Sequence, residues 1–145
     1  MLRGSGVAQD ARQTGYAAYR ELYFEPVVET DGDCYARTKV RFRETLASLD
    51  LIRRAINRLP DGEVRAKLKG KENPVGETVN RVEQPRGELL YYLKGKGEKT
   101  LDRVRIRTPT FANIPPLLVM LPGLYLSDVP VVTLSIDPCI SCTER

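Results

Sequence analysis

The chain of 145 residues contains no histidine and no tryptophan, only three cysteines, and no long unbroken apolar run. Without histidine it lacks the commonest general base and the commonest nitrogen ligand for a transition metal. Any chemistry here falls to thiolates, carboxylates, arginine or a borrowed group. An odd number of cysteines argues against a disulfide framework, and the start, Met1-Leu2-Arg3-Gly4-Ser5-Gly6, lacks the apolar stretch of a secretory signal. No segment approaches the roughly 18 apolar residues of a membrane-spanning helix. Together these absences predict a cytoplasmic chain with reduced thiols.

What is present is mixed in sign: 23 basic and 19 acidic residues leave a net charge of +4. A nucleic-acid face would interleave basic residues with aromatics for base stacking, and the densest basic region, 94–107, has no aromatic. No nucleic-acid partner is expected; that region reads as a solvated or protein-docking face. A hydrophobic content of 41% suits one compact unit over residues 1–145.

The pattern predicts an α+β fold dominated by helix. Phe42, Leu46, Leu49, Ile52, Ile56 and Leu59 recur at spacings of four and three, which predicts a long central helix over about 33–59 with one buried face. Asp31 or Asp33 would cap it and Pro60-Asp61-Gly62 would stop it. Residues 61–79, polar and rich in lysine and glycine, read as an exposed loop. A β-hairpin is expected over about 88–107, its second flank alternating from Arg103 to Arg107. A short helix is expected over about 114–121, with Asn113 as cap and Pro115 and Pro116 in its first turn. The opening, with Tyr16, Tyr19, Leu22, Tyr23 and Phe24, suggests a short helix and then an extended piece. Residues 128–136 are almost continuously apolar, and periodicity leaves strand and helix both open.

The chemically loaded segment is Asp137-Pro138-Cys139-Ile140-Ser141-Cys142-Thr143-Glu144-Arg145. Two cysteines three positions apart on a turn can aim both sulfurs at one centre, and as thiolates they are soft ligands for zinc, nickel, copper(I) or iron–sulfur clusters. The plain alternative is two reduced, partly buried thiols without a metal. A closed site takes four ligands; only Cys34 could add a third sulfur, and no histidine can complete the set. A metal-binding pair would therefore need a second pair from another chain or an amino-terminal portion. A thioredoxin-like role fits poorly, since that pair opens a helix within a βαβ unit.

This segment resembles the DPCxxC motif that ends nickel-iron hydrogenase large subunits, in the form with serine before the second cysteine found in membrane-bound, energy-converting members. Leu2-Arg3-Gly4-Ser5-Gly6-Val7, Gly32-Asp33-Cys34-Tyr35, Glu83-Gln84-Pro85-Arg86-Gly87-Glu88-Leu89 and 105–113 are similar, in order, to blocks shared by those hydrogenases and the 49-kDa-type subunit of respiratory complex I. The resemblance implies the carboxy-terminal part of a catalytic large subunit. It makes Cys139 and Cys142 two ligands of a nickel-iron centre whose iron carries diatomic ligands. Arg86 becomes the arginine above the metal and Asp137 the acidic residue beside it, while Thr110 supplies a hydroxyl to a cyanide on iron. Each has a plain alternative: Asp137 could cap a turn, Arg86-Gly87 could open the hairpin, Thr110 could follow a strand end, and Cys34 reads best as a small core residue.

Two departures stand out. Gln84 replaces the usual alanine before Pro85-Arg86, and the family's amino-terminal CxxC is absent, as in a split subunit, a gene fragment or a truncated chain. The last residue, Arg145, falls where family members are often trimmed to a mature end. The complex I relatives lack these cysteines and bind quinone, so the cysteine pair favours hydrogenase chemistry. The resemblance further implies an amino-terminal portion or equivalent chain as partner, a small subunit carrying the iron–sulfur clusters, and ion-translocating membrane subunits. The chain would sit on the inner face of the cell membrane through those partners. Rival readings are a sulfur-reducing or complex I-like relative with altered chemistry, and a non-catalytic structural module of a membrane-attached complex.

Overall fold

The computed structural model of the chain describes residues 1–65 and 73–144. Part of the expected loop, 66–72, and the terminal Arg145 lie outside the described residues. Among the described residues no helix is long and apolar enough to cross a membrane.

Helix α1 runs Cys34–Asn57, within the expected bounds. The Asp33 carboxylate accepts from the Ala36 N–H at 2.7 Å, satisfying one of the donors that every helix start leaves without a partner. Replacing Asp33 by alanine is expected to lower stability by about 1 kcal/mol. Thermal unfolding checks this, and an unchanged midpoint would dismiss the cap.

The face that α1 buries is not the expected one. Ala36, Arg37, Val40 and Leu51 are its buried residues, whereas Phe42, Leu46, Leu49, Ile52, Ile56 and Leu59 are exposed. The inward side is fixed by close approach and by charge. A Cβ on Gly4 would lie 2.9 Å from the Arg37 Cγ, so only glycine lets the first turn of the chain, Leu2–Ser5, lie this close to the helix. Charged ties hold the same side: Arg3 Nε lies 2.6 Å from Glu44 and Arg3 Nη1 lies 2.8 Å from Glu83.

Two more single turns follow, Ala11–Thr14 and Ala17–Arg20, and then an extended piece. Asp10 caps the first of them, accepting from the Arg12 N–H at 2.9 Å, and its carboxylate also holds the Arg12 guanidinium at 2.9 and 2.6 Å. Arg12 in turn lies 4.5 Å above the Phe24 ring.

Three antiparallel strands form one sheet in the order β1 (Val75–Gln84), β2 (Gly87–Lys96), β3 (Arg103–Arg107). The expected hairpin is β2–β3, paired from Leu90 against Arg107 to Lys94 against Arg103. Strand β1 corrects the expected loop, since 75–79 are strand rather than connection. Its polar sequence hides it, because its stability comes from cross-strand pairs: Glu77 opposes Lys94 with a 3.0 Å ion pair, and Val82 opposes Leu89. Gln84 pairs with Gly87, so Pro85 and Arg86 form the tip of the β1–β2 hairpin. Pro85 suits that tip because its ring fixes φ.

Helix α2 is Pro109–Met120 and starts earlier than expected. Its cap is Thr108, not Asn113, and Pro109 occupies the first turn where a missing N–H costs nothing. Residues 128–136 resolve into helix, α3 (Val129–Ser135), followed by the single turn α4 (Ile140–Thr143).

Candidate functional site

Three pieces of the fold meet around residues 137–142. The tip of the β1–β2 hairpin brings Arg86, whose Nε donates to the Asp137 carbonyl at 2.8 Å and lies 3.3 Å from its carboxylate. Helix α2 anchors that tip, with the Asn113 amide donating to the Arg86 carbonyl at 3.4 Å. It also supplies Thr110, only 1% exposed, whose hydroxyl oxygen accepts from the Cys139 N–H at 3.2 Å. A hydroxyl has one donor and two acceptor positions, so Thr110 keeps its proton to give to something else. Thr108 donates to the Cys142 carbonyl at 2.5 Å.

Asp137 has φ 54, a left-handed conformation that costs most residues about 1 to 3 kcal/mol. Aspartate tolerates it better than most. The two contacts from Arg86 hold it there, and the kink turns the chain from α3 into α4. Asp137 thus lies where the chain turns and is paired with Arg86.

From the other side, α1 holds the end of α3. Buried Arg37 donates through Nε to the Ser135 hydroxyl at 2.9 Å and through Nη1 to the Gly32 carbonyl at 2.8 Å. Arg41 donates to the Ser135 carbonyl at 2.7 Å, placing a cation at the carbonyl end of a helix, where it is favoured. Cys34 is not a core residue: it is half-buried at the start of α1, and its sulfur accepts from Arg37 Nη2 at 3.2 Å.

Cys139 and Cys142 lie on one turn. The Cys142 N–H donates to the Cys139 carbonyl at 3.1 Å, and the Ser141 hydroxyl sits 3.2 Å from the Cys139 sulfur. Hydrogen bonds from Ser141 and from Cys142, with a smaller attraction from Arg86, lower the Cys139 thiol from 9.0 to about 7. Among the described residues no group of three or more histidine, cysteine or acidic side chains could enclose a metal. The donor set therefore fits half of a soft thiolate centre: two sulfurs, one tuned toward thiolate, beside a cation and a buried hydroxyl. A cavity of about 430 Å³ opens behind Asp137, lined by Arg41, Glu44, Gln84 and Pro85 among others.

All five residues singled out in the sequence, Arg86, Thr110, Asp137, Cys139 and Cys142, lie at this junction. Arg37, Arg41, Ser135, Thr108 and Ser141 were not foreseen as parts of it. Thr108 carried a signal, since threonine followed by proline is a cap followed by a favoured first residue. Ser141 stood in the motif as the serine before the second cysteine, whereas Arg37, Arg41 and Ser135 are ordinary in sequence and matter through long-range contacts.

A family model described as "Respiratory-chain NADH dehydrogenase, 49 Kd subunit" matches residues 1–70 and 66–145. The chain is 47% identical to the "Carbon monoxide-induced hydrogenase" of Rhodospirillum rubrum, over 100% of this chain and 40% of that protein. It is 41% identical to an NADH-quinone oxidoreductase subunit of Herpetosiphon aurantiacus, over 100% of this chain and 41% of that protein. Among solved structures, a chain of the membrane-bound sulfane sulfur reductase, an archaeal respiratory membrane complex, superposes with a TM-score of 0.87 at 35% identity, covering 99% of this chain and 41% of that one. The fold is one that subunits of oxidoreductases share. The chain belongs to the family that joins the 49-kDa subunit of respiratory NADH dehydrogenase with nickel-iron hydrogenase large subunits. It spans about two fifths of the length of the relatives it matches.

Proposed function

We propose that this chain supplies half of the nickel-iron site of a hydrogenase that interconverts hydrogen with protons and electrons. The observation that carries this reading is the single turn bearing Cys139 and Cys142, set against Arg86 and Thr110. Cys139 and Cys142 would hold the centre together with a second cysteine pair, and the bound metals would supply a soft Lewis-acid site at which hydrogen is split. Arg86, fixed by Asn113 and Asp137, would present a guanidinium to negative diatomic ligands on iron. Thr110 holds the Cys139 backbone, and its own proton would be free to serve the same ligands. Asp137 keeps Arg86 aimed, as carboxylates orient the groups around metals.

The reading includes the amino-terminal portion of the large subunit or an equivalent chain, a small subunit holding the iron–sulfur clusters, and membrane subunits that translocate ions. It places the complex on the inner face of the cell membrane. A second reading, sulfur reduction, is favoured by the likeness to the sulfane sulfur reductase chain.

Nickel and iron analysis of the complex, beside a Cys142→Ser variant, tests the proposal. Stoichiometric nickel that falls at least about tenfold in the variant supports the half-site. Nickel with polysulfide reduction but no hydrogen uptake selects the second reading. An intact complex without nickel sinks both and leaves a structural module.

A further inference from the structure

Three carboxylates gather between α1, β1 and the first two turns of the chain, and two of them are fully committed. Glu83 accepts from Arg3 Nη1 at 2.8 Å on one oxygen and from the Ala11 N–H at 2.9 Å on the other. Both oxygens of Asp10 are taken up by Arg12, and against the effect of burial these bonds hold its carboxyl below the ordinary value. Glu44 is held differently. Its buried Oε1 lies 2.6 Å from Arg3 Nε, but not along a hydrogen-bond direction. Burial raises its carboxyl above the usual 4.5 against the pull of Arg3 and Arg12, so its surroundings favour the protonated form.

Glu44 also borders two spaces. The cavity of about 430 Å³ has Glu44 in its wall together with Gln84, Pro85 and Asp137, and it reaches the exposed Thr45. A pocket of about 30 Å³ has Glu44 in its wall with Arg41, Pro85 and Arg86. One water takes roughly 10 to 15 Å³ of such space and needs polar walls, so both spaces admit it. Water thus connects Glu44 with solvent and with Arg86 and Asp137, the pair beside the cysteine turn. The charges close to Glu44 are Arg3 from the first turn, Asp10 and Arg12 from the second, Glu83 from β1, and Arg41 on α1 itself. Tyr19 shares the wall of the larger cavity, while Asp137 and Arg86 face Glu44 across the two spaces. The cations keep the ionised form within reach, so this carboxyl can both bind a proton and let it go.

We propose that Glu44 relays protons between the cysteine turn and the surface, taking each proton released when hydrogen is split and passing it to the water of the cavity. This rests on the half-site reading and deepens it by naming the residue through which the protons leave. One hydrogen molecule yields two protons and two electrons. Glu44 handles the protons alone, one at a time: an O–H bond forms at its carboxylate and breaks again as water accepts the proton. The residue ends as it began, and the electrons leave by the iron–sulfur clusters of the small subunit. In the reverse reaction the same relay delivers protons to the site.

The test supplies the assembled complex with para-hydrogen in heavy water. Splitting and rejoining inside the site gives ortho-hydrogen, whereas protons that leave are replaced by deuterons and return as deuterated hydrogen. Per bound nickel, Glu44→Gln is expected to form deuterated hydrogen at least about 100-fold more slowly while ortho-hydrogen forms within about twofold of the parent rate. Glu44→Asp, which keeps a carboxylate, should recover at least about tenfold of that loss. In the complex assembled without nickel, infrared titration should show a protonated carboxyl that persists above pH 4.5 and is missing from Glu44→Gln. A parental ratio of the two products in Glu44→Gln, an equal fall of both, or no such carboxyl overturns the proposal. So does loss of nickel from both variants, which makes Glu44 a structural residue. A parent complex without nickel removes the nickel-iron reading and the relay with it, whereas a nickel-loaded parent that Glu44→Gln matches removes the relay alone.

Discussion

On the proposed nickel-iron reading, replacing Arg86 by lysine is expected to lower hydrogen turnover of the assembled complex by roughly 100-fold while leaving its nickel content unchanged. Lysine keeps the charge but loses the planar fork, and with it the Nε–H that meets Asp137. The preserved nickel separates this effect from loss of the centre, since a guanidinium has no acceptor to offer a metal and is not itself a ligand. Turnover within about twofold of the parent would remove Arg86 from the reaction. Asp137→Asn should cost less, on the order of tenfold. Asparagine tolerates the left-handed backbone and leaves the carbonyl contact in place, so the carboxylate is the only loss.

Replacing Arg3 by methionine is expected to cost about 3 to 5 kcal/mol of stability, because it leaves Glu44 and Glu83 partly buried without their nearest cation. Denaturant unfolding measures it, and a cost under about 1 kcal/mol would show that the remaining charges rearrange freely. The cluster also has an acid signature. Burial raises the Glu44 carboxyl above 4.5 despite the attraction of Arg3, whereas hydrogen bonds from Arg12 hold Asp10 below 3.8 against its own burial. Asp10 therefore adds stability that is fully present above 3.8 and lost as pH falls through its folded value. Glu44 acts oppositely: the folded chain keeps a proton that the unfolded chain has released, so stability falls as pH rises from 4.5 through the raised value. In Arg3→Met the Glu44 carboxyl loses the nearer of its two cations, Arg12 remaining at 3.9 Å, so the rise in pH should destabilise this variant more steeply than the parent.

The bounds of α1 were legible because its start and stop are local: a capping aspartate and a proline-glycine pair. Its inward face was not. The spacing of Phe42, Leu46 and Leu49 announces burial without saying against what, and among the described residues nothing covers that stripe. Strand β1 was hidden for a related reason, since Glu77 reads as loop until Lys94 stands opposite it. The candidate site was legible as a list of residues through the resemblance, because each of the three blocks that carry them, 83–89, 105–113 and 137–145, is contiguous. Its supports were not, since Arg37 and Ser135 lie 98 positions apart and nothing in either neighbourhood names the other. The start of α2 was misplaced because two prolines drew the eye to Asn113, while the threonine-proline step ahead of them held the cap.

The threonines on either side of Pro109 grip the cysteine turn by its backbone, one at the Cys139 amide and one at the Cys142 carbonyl. Neither grip involves a sulfur. The loop therefore keeps its shape whatever its side chains are, and its architecture is separable from its chemistry. Substituting both cysteines is expected to change the chemistry the turn can offer without dismantling it, so the frame and the side chains it displays can vary independently.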